Sequence, residues 1–189
     1  MRAGTDGPFD RFTIEIAVTV RAGRREDLIY LDGWPGFDTP AHRQALRYYL
    51  QQHRLGEGAF LVADMGGIPV GQLFLWYLRE DTELGDGHTV ASITALRVWP
   101  GFRRRGIATR LAAVAERVAW QLGFRTLTIG TDIDNEKAHG LYRRWGYREF
   151  KRSTYEWDGR IFPQVCLRKA LTGPAPGTQP ETAGPRPTT

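Results

Sequence analysis

Apolar residues run almost without interruption from Ala59 to Asp64 and from Pro69 to Leu78, and Met65-Gly66-Gly67 between them supplies a turn, so this stretch predicts a β-hairpin. Upstream, Phe12 to Arg21 alternates apolar with polar positions, the pattern of a half-buried strand. Two helices are expected between these elements. One is short, Arg25 to Leu31; the other opens at Thr39-Pro40, a capping residue and a first-turn proline, and continues through AHRQALRYYLQQHRL. Downstream, Thr89 to Val98 predicts a strand. Arg105 to Leu122 then carries Ile107, Leu111, Val114, Ala115 and Val118 at helical spacing, with Gly123 where a C-terminal cap belongs. A strand over Arg125 to Thr131, a helix over Glu136 to Trp145, and paired strands Tyr147 to Trp157 and Phe162 to Leu171 around Asp158-Gly159 complete the series. The order βααβββαβαββ predicts a mixed α/β (α+β) domain of about seven strands and four helices.

No internal repeat is visible. The domain is expected over residues 12–171, after a flexible start (1–11) and before a Pro/Gly/Thr-rich tail (172–189) whose composition predicts disorder. With 189 residues, 41% hydrophobic and 25% charged, the chain is long enough to bury one substantial core. No apolar run approaches the length of a membrane span and the first ten residues lack an apolar signal core, so a cytoplasmic protein without membrane contact is the expectation. Cys166 is the single cysteine, which excludes an internal disulfide and leaves no cysteine set for a structural metal; no metal is expected.

Charge adds one question. The net charge is +5, and of 26 basic residues all but Lys137, Lys151 and Lys169 are arginine. Arginine grips phosphates, yet these residues are spread along the chain and opposed by 21 acids, so nucleic acid is not the expected partner. The one dense group is Arg103-Arg104-Arg105. It lies in Leu96 to Leu111, LRVWPGFRRRGIATRL, where a strand, a Pro-Gly break and an arginine triplet lead into a helix start at Gly106. Unpaired N–H groups at a helix N-terminus, beside a residue without a side chain, form a cradle for a phosphate. The alternative is a turn whose glycine only permits tight helix-on-strand packing.

The pattern Leu96-x-Val98-x-Pro100-x-x-Arg103-x-x-Gly106-x-Ala108 resembles the acetyl-CoA motif of the GNAT N-acetyltransferase superfamily, and Asn135-x-x-Ala138-x-x-Leu141-Tyr142-x-x-x-Gly146-Tyr147 resembles its second cofactor motif. The resemblance implies a sheet splayed between strands 4 and 5, with acetyl-CoA as co-substrate lying in the opening. It implies that the backbone of Leu96 and Val98 binds the pantetheine arm, with Arg97 between them also among the cofactor-binding residues. The amides of Arg104, Arg105, Gly106, Ile107, Ala108 and Thr109 would hold the pyrophosphate, with Arg103, Arg104 and Arg105 adding charge. Asn135 and Ala138 would meet the cofactor from the second motif. Tyr142 matches the family's general acid, which returns a proton to the leaving thiolate; as an unassisted packing residue of an amphipathic helix it would need no such role.

No carboxylate occupies the positions where better-known relatives place a base: Ser92, Thr94 and Gly130 stand there. His88, just before the fourth strand, has a suitable intrinsic pKa and is the expected base, with Asp132, Glu80, Asp81, Glu83 or a water chain as alternatives. His139 reads as a helix-surface residue and Cys166 as packing. Trp34, Phe37, Tyr48, Tyr49, Trp76, Tyr77, Tyr155 and Trp157 are candidate walls of an acceptor cleft, with Asp32, Asp38, Glu80, Asp81 and Glu83 to attract a cation, unless they are ordinary core aromatics and a solvated loop. The expected reaction is direct attack of a small-molecule amine on acetyl-CoA in a ternary complex. A peptide acceptor and a non-catalytic acyl-CoA-binding module are the alternatives, and a homodimer, common in the resembling family, is left open by these residues.

Overall fold

A computed structural model describes residue 15 and residues 17–173 of the chain. Its elements are β1 (Thr19–Ala22), a 3-10 turn (Arg25–Asp27) leading into α1 (Leu28–Leu31), α2 (Pro40–Leu55), β2 (Gly58–Met65), β3 (Ile68–Trp76) and β4 (Val90–Val98). A second 3-10 turn (Pro100–Phe102), α3 (Ile107–Gln121), β5 (Thr126–Asp132), α4 (Glu136–Arg144), β6 (Arg148–Trp157) and β7 (Arg160–Ala170) follow. They match the expected order. The expectations for residues 1–11, and for the tail from residue 174 on, fall outside the described residues.

The strands form one sheet in the order β1-β2-β3-β4-β5-β7-β6, antiparallel except for the parallel pair β4–β5, whose crossover is α3. Such a connection needs a helix to return the chain to the same end of the sheet. The first strand is shorter than the alternating pattern from Phe12 predicts: within the described residues it starts at Thr19, which pairs with Asp64. Its partner β2 ends at Met65, one residue past that pair, before the Gly66-Gly67 turn, so Ala17 has no ladder partner. The remaining boundaries agree with expectation or differ from it by one or two residues.

Each face of the sheet buries its own cluster. On one face α3 lays Ile107, Leu111, Ala115 and Ala119 over Leu61, Leu73, Leu75, Ile93 and Leu127, and α4 adds Tyr142. The helix start comes unusually close to the sheet at Gly71, where a Cβ would meet Ile107 Cγ2 at 2.9 Å and Leu111 Cδ1 at 3.0 Å. On the other face α2 presents His42, Leu46 and Leu50, four residues apart, to Phe60, Val62 and Phe74 together with Leu31 and Trp34. Thr39 caps α2 by accepting from the His42 N–H at 3.2 Å, which sets where that face begins. Among the described residues no helix is long and apolar enough to cross a membrane.

Candidate functional site

Strands β4 and β5 run side by side from Val90↔Thr126 to Ile93↔Ile129 and then part. Beyond that point β5 stays paired with β7 as far as Asp132, and β4 stays paired with β3 through Thr94↔Phe74 and Arg97↔Gln72. Between those last two pairs β4 holds one more residue than β3, and Ala95 takes a left-handed conformation, φ 53°. Such a bulge bends the strand and increases its twist. Left-handed backbone at a residue with a Cβ costs about 1–2 kcal/mol and persists only where the surroundings impose it. The bulge therefore opens the sheet, leaving the edge of β4 from Thr94 to Val98 without a strand partner on the β5 side.

The opening leads toward the start of α3. Arg110 N–H donates to the Gly106 carbonyl at 3.0 Å, the first bond of the helix. Among the described residues, the N–H groups of Arg104, Arg105, Gly106, Ile107, Ala108 and Thr109 make no backbone hydrogen bond. Arg104 and Gly106 both have positive φ, 60° and 78°, and a Cβ on Gly106 would meet nothing within 4 Å. Alternating left-handed backbone at a helix start gathers N–H groups into an anion-binding concavity. The space above Gly106 and the exposed Arg103, Arg104 and Arg105 around it suit a pyrophosphate. The side chain of Arg103 also folds back, its Nε–H donating to the Val98 carbonyl at 3.2 Å and tying the arginine turn to the end of β4.

Tyr142 lies on α4, 7% exposed, its ring 5.6 Å from Trp145 and 6.5 Å from Tyr147. Burial pushes its phenol up to about 12, so it stays protonated at any ordinary pH, and no hydrogen bond to its hydroxyl is present among the described residues. Asn135 caps α4, its side-chain oxygen accepting from the Ala138 N–H at 3.1 Å. That bond uses the Ala138 amide, so toward a cofactor Ala138 offers only its side chain and carbonyl, whereas the Asn135 amide nitrogen stays available.

Several expected residues are not brought to the opening. His88 is exposed in the turn before β4, where its N–H donates to Asp86 Oδ1 at 2.8 Å. It lies six residues before Thr94, roughly 20 Å along the strand and at the paired, closed end of β4–β5. The acidic loop is also largely occupied: Lys151 of β6 binds Asp81 at 2.7 Å and contacts Glu83 as well, so these two acids answer a cation within the protein. Tyr77 stacks on Phe124, 5.4 Å away, as part of the packing. Cys166 is fully buried, in keeping with its reading as packing, and His139, read as a helix-surface residue, is half-buried with Nε2 at 3.2 Å from the Asp132 carbonyl.

Asp132 is well placed. It ends β5 just beyond the point where the strands part, and the Tyr155 hydroxyl of β6 donates to its Oδ1 at 2.6 Å. Burial and the neighbouring Asp132 push the Tyr155 phenol up to about 12, so this donor persists. On the opposite wall stand two residues that no motif marks, His42 and Gln72, beside Arg97, which the resemblance assigns to the cofactor. The His42 ring and Gln72 are buried, on the α2 face of the sheet, with Arg97 half-buried beside them. Their signals were faint: His42 is one polar residue on the apolar face of α2, and Gln72 one amide inside the otherwise apolar β3.

The parallel β4–β5 pair thus opens at a bulge beside a helix start with unpartnered N–H groups, the arrangement that the resemblance implies. Residues 27–147 match the model of the acetyltransferase (GNAT) family, and the chain belongs to that family. It is 28% identical over 142 residues to an uncharacterized N-acetyltransferase of Methanocaldococcus jannaschii, covering 69% of this chain and 61% of that protein. It is also 28% identical over 120 residues to an aminoglycoside N(6')-acetyltransferase type 1 of Salmonella typhimurium, covering 63% of this chain and 80% of that one. Among solved structures, a GNAT family acetyltransferase of Elizabethkingia anophelis with acetyl-CoA bound superposes with a TM-score of 0.58 at 16% identity, over 82% of this chain and 98% of that chain.

Proposed function

We propose that the protein is an acetyl-CoA-dependent N-acetyltransferase that passes the acetyl group directly to a primary amine of a small molecule. The observation that carries this reading is the row of unpartnered N–H groups from Arg104 to Thr109 at the mouth of the β4–β5 opening. Acetyl-CoA supplies an activated acetyl group and a thiol that leaves. The chain supplies position and protons. The free edge of β4 at Leu96 and Val98 holds the pantetheine arm, the N–H groups of Arg104 to Thr109 take the pyrophosphate with Arg103, Arg104 and Arg105 around it, and the Asn135 amide and Ala138 side chain flank the arm from α4.

Asp132 replaces His88 as the group that takes the proton from the attacking amine, because it stands at the opening while His88 stands at the closed end. Tyr142, protonated throughout the working range, donates to the departing sulfur. Free β4 backbone N–H groups stabilise negative charge developing on the acetyl oxygen. A small acceptor is favoured by the similarity to an aminoglycoside acetyltransferase. The test is release of coenzyme A from acetyl-CoA with polyamines, aminoglycosides, amino acids and short peptides offered in turn. Turnover confined to the peptides overturns the small-molecule acceptor, and absence of acetyl-CoA binding in calorimetry overturns the whole reading.

A further inference from the structure

Among the described residues Arg97 is a cation without a counter-ion: no carboxylate comes within salt-bridge distance of it, although seven ion pairs form elsewhere. Its guanidinium lies 4.2 Å over the Phe37 ring, and its Nη1 donates to His42 Nδ1 at 2.6 Å. Arginine only donates, so Nδ1 is the accepting nitrogen and the proton of the neutral ring sits on Nε2. That Nε2–H is buried with no partner. Both polar atoms of Gln72, the cross-strand partner of Arg97 and therefore on the same face, are buried and unpartnered as well, and so is the indole N–H of Trp34 in the same cluster. Unmade hydrogen bonds of this kind each cost about 1–3 kcal/mol in a folded protein; two of the residues that leave them unmade, His42 and Gln72, neighbour the half-buried Arg97, and Asp32, whose Oδ1 accepts no hydrogen bond, lies near His42 as well.

We propose that Arg97, with the donors of His42 and Gln72 behind it, is the acceptor's carboxylate subsite, and that the acceptor is a small amine that also bears a carboxylate, of the amino-acid type. This rests on the acetyltransfer reading and specifies its substrate class. Across the opening, the Asp132 carboxylate and Tyr155 face the other end of such a molecule, and Tyr155 is near enough to feel the Arg97 charge. The two walls thus match a zwitterion, its carboxylate on Arg97 and its ammonium on Asp132. The aromatic ring of Phe37 shields one face of the guanidinium from water, which strengthens its pairing with an anion.

The experiment pairs each proteinogenic amino acid with its decarboxylated amine and its amide, measuring kcat/KM with acetyl-CoA. The carboxylated member is expected to exceed both partners by about 30-fold or more in the productive pairs, and Arg97→Met to erase that preference. Equal or better turnover of the decarboxylated amines, or of the amides, by the wild-type protein overturns the proposal. A readout independent of turnover is calorimetric binding of the N-acetyl amino acids to the protein saturated with coenzyme A, expected for the wild type and lost in Arg97→Met. Absence of that binding in a wild type that takes up coenzyme A overturns the carboxylate subsite alone, whereas failure to take up coenzyme A overturns the acetyltransfer reading beneath it.

Discussion

The Tyr155 hydroxyl donates to Asp132 Oδ1 at 2.6 Å, joining β6 to the end of β5 on one wall of the opening. The bond leaves Oδ2 free to accept a proton while fixing the carboxylate's direction. Asp132→Asn keeps the shape and removes the basicity, so kcat with the best acceptor is expected to fall about 100-fold with little change in acetyl-CoA affinity. His88→Ala, at the closed end of β4, is expected to change kcat by less than about twofold, within what a distant surface substitution does. Steady-state kinetics on both variants decides between the two residues, and a large loss in His88→Ala would return the role to the histidine.

The cradle at α3 makes a separable prediction. Gly106 has φ 78° and open space beyond its Cα, so Gly106→Ala adds strain without a clash and is expected to cost about 1–2 kcal/mol of stability. Gly106→Glu adds bulk and a negative charge where the phosphates belong, and acetyl-CoA affinity is expected to drop more than about 100-fold. Calorimetric titration of the three proteins separates strain from blockage. Equal binding by wild type and Gly106→Glu would show that the cofactor lies elsewhere.

Local chemistry explains which elements the sequence announces. Helix α2 announces itself through Thr39-Pro40, and α3 through Gly106 followed by Ile107 and Leu111, because caps and apolar spacing are short-range signals. The parting of β4 and β5 was expected only through the family resemblance. The bulge that produces it falls on Ala95, a residue with no intrinsic liking for left-handed backbone, so nothing in its neighbourhood marks it. The same holds for the acceptor wall. His42, Gln72 and Arg97 are 30 and 25 residues apart in the chain and meet only when β3 pairs with β4 and α2 covers them. The acidic loop misled for a related reason: its partner Lys151 is 70 residues from Asp81.

Tyr142 offers a test of the acid role that packing alone would not meet. Tyr142→Phe removes one oxygen from a site with no protein hydrogen bond among the described residues, so stability is expected to change by less than about 1 kcal/mol. If the phenol protonates the departing sulfur, kcat falls about 10- to 100-fold, less than for a poorer leaving group because a thiolate leaves readily. With its phenol pushed up to about 12, the wild-type rate is expected to show no alkaline loss from this group below about pH 11. An unchanged kcat in Tyr142→Phe assigns the residue to packing.

Acid sensitivity should follow from His42. Burial and the adjacent Arg97 charge lower its pKa to about 4, against the nearby Asp32, which works in the opposite direction. An unfolded chain titrates this histidine near 6.5, so between about pH 6.5 and about pH 4 the unfolded state binds the extra proton and stability falls as the solution is acidified. Below about 4 both states are protonated and the loss is complete. Discounting the full shift for screening around a partly solvated arginine leaves about 1–2 kcal/mol. Urea unfolding at about pH 7.5 and about pH 4.5 measures it, and His42→Gln, which cannot titrate, is expected to remove that part of the slope. A bound carboxylate on Arg97 would weaken the charge that disfavours the imidazolium, so saturating the protein with a carboxylated acceptor is expected to shrink the same slope. Identical slopes in wild type and His42→Gln would show that the ring does not carry the linkage.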